Sequence, residues 1–335
     1  MAIKLGGLHH VSAITGDTGL NVDFYTRVLG LRLVKKTVNQ DDVSSYHLFY
    51  GDEVGHAGTE VTFFAFKGAV KSVAGTGTIS NIALAVPSSA SLDWWEQRFD
   101  QMNVSYSDRI SRGGRDTLPF TDFEGQSLAL IAINDDDHGG IGGKPWDGST
   151  IPAEYQILGM YAIETTVEDS TPTAVTLVDT LGFLETDGYS IETADGERAS
   201  VRVFESGPGG AGTEMHVVER PGYRLGRPGA GGVHHVAFRT PNDEEHAEWR
   251  QRIAADGYNI TPQIDRYYFR SIYFREPGHV LYEIATDGPG FATDEDVEHL
   301  GESLALPPFL EPHREQIEAG LDPIIVPDAG KAAVS

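Results

Sequence analysis

The stretches GLHHVSAIT (7–15) and GVHHVAFRT (232–240) write the same histidine doublet twice in a chain of 335 residues with twelve histidines and no cysteine. With thiolates absent, any metal must rest on nitrogen and oxygen donors. Both stretches alternate apolar and polar residues like half-buried strands, so neighbouring side chains point to opposite faces and each doublet offers one imidazole to a shared site. His234, Val236 and Phe238 form one face and His235, Ala237 and Arg239 the other. The bulkier set is expected under a helix, which leaves His235 facing a cavity, and the same reasoning selects His10, beside Ser12. A third donor stands in HVLYEIATD (279–287), where Glu283 sits in a run that otherwise reads as buried. A buried carboxylate requires a partner. Two imidazoles and one carboxylate, with open positions on the remaining face, form the ligand set of a non-haem Fe(II) that handles dioxygen, and Mn(II) fits the same set.

The elements that would position these donors repeat. TISNIALAV (78–86) and GMYAIETTV (159–167) share the strand pattern without the histidines, aligning His10, Asn81, Ala162 and His235 at one position. A helical stretch follows each strand, with Asp17, Ser88 or Ser89, Ser170 and Asn242 as caps and Gly30, Asn103, Gly182 and Gly257 as end residues. Apolar residues at helical spacing mark the inward faces: Phe24 with Val28, Trp95 with Phe99 and Met102, Val175 with Val178, Trp249 with Ile253. Further strand-like runs close each unit in TEVTFFAF (59–66), QSLALIAI (126–133), TEMHVVE (213–219) and HVLYEIAT (279–286). The unit is therefore β-α-β-β-β, four times, and the two halves of the chain are offset by about 153 residues, a duplicated pair of units.

That offset supplies a control. It carries His10 to Ala162, His235 to Asn81 and Glu283 to Leu130, so one set of positions holds all three donors and its counterpart none, with His216 a lone remnant. A single strand histidine is ordinarily a hydrogen-bonded structural residue, and Glu283 alone could answer an arginine. The coincidence of the three carries the metal reading.

Asp and Glu outnumber Lys and Arg by 50 to 25, for a net charge of −25, and the bases comprise seven lysines and eighteen arginines. A negative field repels phosphate backbones, so no nucleic-acid partner is expected, and an acidic, lysine-poor surface suits a salty cytosol. No run approaches the ~20 apolar residues of a membrane span, so no membrane partner is expected and the protein is expected to be cytoplasmic. Residues 135–150, rich in Gly and Asp, read as a linker or ordered loop, and the proline-rich stretch from 287 as an extended arm with at most a short helix around 311–319. A homo-oligomer is anticipated, because such an arm needs a surface to lie on.

The repeated units, the two doublets and DRYYFRSIYFREPGHVLYEIATD (265–287) resemble the vicinal-oxygen-chelate superfamily of glyoxalases, bleomycin-resistance proteins and extradiol dioxygenases, and most of all its hydroquinone ring-cleaving dioxygenases. The resemblance covers nearly the whole chain and implies an α+β fold: four β-α-β-β-β modules (about 6–67, 78–134, 158–219 and 231–286) in two glyoxalase-like domains, each an open mixed β-barrel with flanking helices. The N-terminal domain would span 1–134, a linker 135–157, the C-terminal domain 158–286 and the arm 287–335. By the same resemblance His10, His235 and Glu283 ligate iron, and His9, Ser12, His234, Arg266 and Tyr273 line the pocket. Arg266 would stabilise an anion, Tyr273, His9 or His234 would move protons or hold substrate, and Ser12 would contact the ring. The implied reactants are a small aromatic hydroquinone and O2. Ala162 stands where four-module catechol dioxygenases carry a histidine, which argues against that branch. Two other readings of the same fold remain: a metal-dependent isomerase, which needs a fourth donor such as Glu60, and a drug-sequestering protein, which needs an aromatic groove and no metal.

Overall fold

The computed structural model describes residues 3–133, 139–193 and 195–324. Four modules are present, as the repeat implies. The first comprises β1 (Leu8–Thr15), α1 (Thr18–Val22), β2 (Arg32–Asn39), β3 (Asp42–Gly51) and β4 (Glu60–Ala65). The second comprises β5 (Thr78–Val86), α2 (Ser89–Met102), β6 (Ile110–Arg112), β7 (Arg115–Thr121) and β8 (Ser127–Ala132). The third runs through β9 (Gly159–Val167), α3 (Ser170–Val175), β10 (Leu184–Glu192), β11 (Arg198–Glu205) and β12 (Glu214–Glu219). The fourth runs through β13 (Gly232–Thr240), α4 (Asp243–Ala255), β14 (Ile264–Asp265), β15 (Arg270–Arg275) and β16 (Leu281–Thr286).

Local chemistry starts and stops the helices. Asp17, Ser88 and Asn242 each accept a backbone N–H of the first turn, satisfying a donor that has no partner inside the helix. In the third module the cap is Asp169 rather than Ser170, whose hydroxyl instead donates to Glu219 at 2.6 Å. Gly30 (φ 71°) and Asn103 (φ 54°) end the first two helices in the left-handed region, as read. α1 and α3 both run on into a π-helical turn, Asp23–Val28 and Thr176–Thr180, whereas α2 and α4 are regular throughout. First pairs with third and second with fourth, the signature of the duplication. In the third module the inward face is Ala174, Leu177 and Leu181, while Val175 and Val178 lie exposed, one position off the expected stripe.

Strand pairing departs from the expected partition into sequence halves. One eight-stranded sheet has the order β14-β15-β16-β13-β1-β4-β3-β2 and the other β10-β11-β12-β9-β5-β8-β7-β6. Each sheet therefore joins modules from opposite halves, the first with the fourth and the second with the third, through the antiparallel pairs β1·β13 and β5·β9. A stretch around 1–134 does not close a barrel alone, and neither does one around 158–286. The fold is α+β, two glyoxalase-like units with few helices. The segments crossing between sheets run beside each other, bridged at Lys71 with Ala230, Val73 with Arg227 and Thr76 with Leu225. Gly75 is required at that crossing, because a Cβ there would stand 2.3 Å from the Arg224 carbonyl oxygen.

The linker expectation resolves, over its described part 139–157, as an ordered loop: Ile151 is buried, and the Gln156 side chain accepts from the Trp146 amide at 2.8 Å and donates to the Ile151 carbonyl at 2.9 Å. Residues 134–138 lie outside the described residues, as do 325–335 of the arm, with Pro327. The described arm carries its short helix, α5 (Arg314–Gly320), and lies on β2 of its own chain. Lys35, fully buried, is held by Asp294 at 2.6 Å and by Glu295, Arg32 donates to the Val297 carbonyl at 2.8 Å, and Leu306 and Ile317 pack on Val38. The arm therefore supplies no argument for a partner subunit. No described helix is long and apolar enough to cross a membrane.

Candidate metal centre and pocket

The three donors converge on the concave face of the first sheet. β1 and β13 are adjacent antiparallel strands near its middle, and β16 pairs parallel with β13 so that Glu283 stands level with Ala237. Ala237 is small enough to leave space for the carboxylate. His10 Nε2 lies 3.3 Å from Glu283 Oε2, His235 Nε2 lies 2.8 Å from the same oxygen, and the two Nε2 atoms are 3.3 Å apart. Donors about 2 Å from one ion at right angles stand about 3 Å from one another, so the cluster has the span that a single ion needs. The three side chains are at most 3% exposed, and Glu283 Oε1 has no hydrogen-bond partner among the described residues. Burial opposes the charge on Glu283, but His10 and then His235 outweigh it and hold its carboxyl well below the usual range. His10 is moved the other way, with burial lowering its pKa more than Glu283 raises it. Two imidazoles and a buried anion with a free oxygen lobe fit a divalent cation.

Strict alternation would turn His9 and His234 away from this site, and two β-bulges overrule it. His9 is the extra residue on β1 between the pairs Leu8 with Phe238 and His10 with Ala237, and His234 is the extra residue on β13 between the pairs of Ser12 with His235 and Ala13 with Val233. Each bulge brings the first ring of a doublet against the second: His9 Nδ1 to His10 Nδ1 at 3.0 Å and His234 Nδ1 to His235 Nδ1 at 2.8 Å. His9 Nε2 faces the Thr286 carbonyl at 3.1 Å and must donate to it. His9 Nδ1 stands between His10 Nδ1 at 3.0 Å and Glu60 Oε2 at 3.3 Å, and against the pull of burial Glu60 raises the His9 pKa. When His9 is neutral, Nδ1 accepts from His10 Nδ1–H and leaves His10 Nε2 bare for a metal. His9 is buried, whereas His234 is exposed at the rim rather than covered by a helix.

The other expected residues are brought to the same trough. Ser12 Oγ is 2.7 Å from Thr62 Oγ1. Tyr273 stands level with Glu283 in the β15·β16 pair, its ring edge-on to His235 at 5.5 Å. Burial raises its hydroxyl pKa, so the phenol stays protonated. Arg266 lies over the Tyr273 ring, 5.7 Å from its centroid, and is also ion-paired with Asp41 at 2.9 Å, so it serves the pocket and a surface bridge together. Glu60 is level with His10 on β4 but turns to His9 Nδ1 at 3.3 Å, and the residue beside Ser12 is Thr62. His9, His10 and Glu60 form a second close group of donors, whereas the group facing the pocket contains three donors and no fourth.

Registers refine the comparison with the second sheet. Ala237 pairs with both His10 and Glu283, and Ala83 pairs with both Ala162 and Ala129, so the counterpart of Glu283 is Ala129, not Leu130. The counterpart of Thr62 is His216, bound to Glu214 at 2.7 Å and to the Tyr189 hydroxyl at 2.9 Å. His216 belongs to a closed polar network rather than a residual metal site.

Sequence reasoning missed His47, Phe49, Phe64 and Phe269, which line the pocket with His10 and His235. Carrying the half-to-half offset through β3 would have exposed His47, because its counterpart is the apolar Val201.

A family model described as the glyoxalase/bleomycin resistance protein/dioxygenase superfamily matches residues 7–138 and 156–284. The chain belongs to this superfamily. Within it, the chain is 47% identical to MhqA of Bacillus subtilis, named as a candidate ring-cleaving dioxygenase, over 96% of this chain and 100% of that protein. It is 30% identical to the chlorohydroquinone/hydroquinone 1,2-dioxygenase of Sphingobium indicum, over 96% of this chain and 98% of that one. A crystal structure of a candidate dioxygenase from Bacillus subtilis superposes with a TM-score of 0.86 at 38% identity, covering 98% of this chain and all of the other. The superfamily's fold and the two-histidine, one-carboxylate cluster thus coincide in one chain.

Proposed function

We propose that this protein is a non-haem Fe(II) dioxygenase that opens the ring of a hydroquinone next to its metal-bound hydroxyl, incorporating both atoms of O2. The observation that carries the reading is the buried convergence of His10, His235 and Glu283 at the floor of an aromatic-lined pocket. The names of the relatives agree with it. His10, His235 and Glu283 would hold the metal, with Mn(II) a competent substitute in the same donor set. Iron bound there supplies Lewis acidity toward a phenol hydroxyl and the redox chemistry that lets O2 react with a ring.

The protein's own groups do the remainder. Phe49, Phe64 and Phe269 give the pocket an apolar lining against which the ring would pack. Arg266 keeps its charge: burial opposes it, but Tyr273 and Asp41 raise its pKa, so it faces the pocket as a fixed cation for negative charge that develops on the ring. Tyr273, protonated, donates a hydrogen bond to an oxygen on the same side as Glu283. His9 and His234 accept the Nδ1 protons of the two ligating rings and so fix their tautomers, and His234, at the rim, links the site to solvent protons. Ser12, through Thr62, shapes the floor beside His235.

The test is oxygen uptake by anaerobically Fe(II)-loaded protein offered substituted hydroquinones and catechols in parallel, with bound metal measured. Uptake with hydroquinone and not catechol supports the reading. Turnover without oxygen moves the site to the isomerase branch.

A further inference from the structure

The trough has a wall opposite the metal ligands. Alternation along β4 places Glu60, Thr62 and Phe64 on the concave face beside His10 and Ser12, and the β3·β4 register then puts His47 and Phe49 on that same face, paired with Phe64 and Thr62. His47 is thus two strands from His10, about 10 Å along the sheet before curvature brings the walls together. Its ring is sandwiched between Phe49 and Phe64, with centroids 4.0 and 4.2 Å away. Nε2 is tethered to Thr62 Oγ1 at 3.1 Å, and Thr62 is tethered in turn to Ser12. Nδ1 has no hydrogen-bond partner among the described residues, although His47 lines the pocket.

A polar ring held between two phenyl rings by one hydroxyl, with its second nitrogen free at a pocket wall, is placed to hydrogen-bond a ligand that enters the pocket. Burial, reinforced by His10, His235 and Arg266, holds the imidazole well below its usual pKa, so it is neutral and offers one hydrogen-bonding nitrogen rather than a charge. The counterpart in the second sheet, which has lost the three donors, is Val201, packed with Ala199 and Val218. The histidine accompanies the metal cluster and is absent where the cluster is absent.

We infer that His47 binds the second, para hydroxyl of a hydroquinone whose first hydroxyl lies at the metal cluster, and that it thereby selects 1,4-diols. The inference rests on the hydroquinone reading above and names the group that recognises the far end of the substrate. Asp41, which is exposed and already engaged by Arg266, is not placed for that task.

The experiment is calorimetric binding of hydroquinone and of 4-methylphenol, which replaces the second hydroxyl by a methyl group, to Fe(II)-loaded protein under argon. Wild-type protein should prefer hydroquinone by about fivefold to tenfold, the worth of one neutral hydrogen bond. His47→Phe, which keeps the aromatic stack, should bind both phenols alike. His47→Gln should restore part of the preference. Should His47→Phe fail to fold, Thr62→Val, which unhooks the ring, must reduce the same ratio. An unchanged ratio in the variants, or equal binding of the two phenols by wild-type protein, overturns the assignment. Oxygen uptake by the wild-type protein is scored separately: its absence with every phenol retires the ring-cleaving reading, while the affinity ratio still judges His47.

Discussion

Removing the two acids that hold Lys35 should loosen the pocket wall from behind. Lys35 Nζ is fully buried, 2.6 Å from Asp294, in contact with Glu295, and 4.7 Å from the centre of the Tyr268 ring, whose hydroxyl donates to Asp294 at 2.8 Å. The acid side chains are 17% and 9% exposed, so they reach water on one side while the ammonium does not. Substituting both by alanine leaves an uncompensated buried ammonium, which costs about 3–5 kcal/mol. Asp294→Asn keeps an acceptor for Lys35, while its NH2 replaces the oxygen that accepts from Tyr268, whose hydroxyl must turn to accept instead, and it should cost about 1–2 kcal/mol, the difference between a charge-assisted and a neutral hydrogen bond. Lys35→Met should also cost about 1–2 kcal/mol, because the partly exposed acids regain water. The assay is urea unfolding of the four proteins, with substrate KM measured in parallel, since Tyr268 lines the pocket and packs on Phe291 of the arm. A double variant that costs under about 1 kcal/mol would refute the reasoning, as would Lys35→Met costing as much as the double variant.

Glu283→Gln should lower retained metal by more than about 100-fold, beyond what the loss of an outer partner costs, as read by metal analysis after dialysis. His9→Phe, which removes the acceptor for His10 Nδ1–H, should weaken metal binding about 10- to 100-fold and also lower the urea stability of the metal-free protein, because it strips the buried Glu60 carboxylate of its partner. Burial raises the Asp122 carboxyl to about 6, from 3.8, against the stabilising pull of the Gln126 and Glu124 amides. The native state therefore holds that proton more tightly than the unfolded chain, and the group's destabilisation, fully present above pH 6, is relieved as pH falls toward 4. A shift of about two units is worth about 3 kcal/mol, so Asp122→Asn should flatten the stability profile between pH 7 and pH 4 in urea titrations.

The donors were legible because their chemistry is rare in its setting: a glutamate inside VLYEIAT and a doublet written twice leave few alternatives, and the structure brings all three together. Repeat length gave the modules. It could not give their pairing, because any module offers the same edge to any other, and only three-dimensional register shows β1 beside β13. The bulges at His9 and His234 were invisible for a related reason: an inserted residue leaves the alternation intact on either side. His47 escaped notice because on a strand rich in aromatics one imidazole reads as another ring. Val175 and Val178 misled because valine fits an exposed helix face whose inward stripe is built partly of threonine.

The pairing of the first module with the fourth also sets an order of events during synthesis. The second and third modules, complete at Glu219, can join their sheet while the fourth is still being made, since a chain emerges at about 5–20 residues per second and domains fold as units. The first module must wait, with the edge of β1 and its two histidines unpaired, until β13 and β16 arrive. A chain cut short before residue 283 therefore has imidazoles but no carboxylate, and cannot assemble the three-donor cluster. Arrival of Glu283 and completion of the three-donor cluster become the same event.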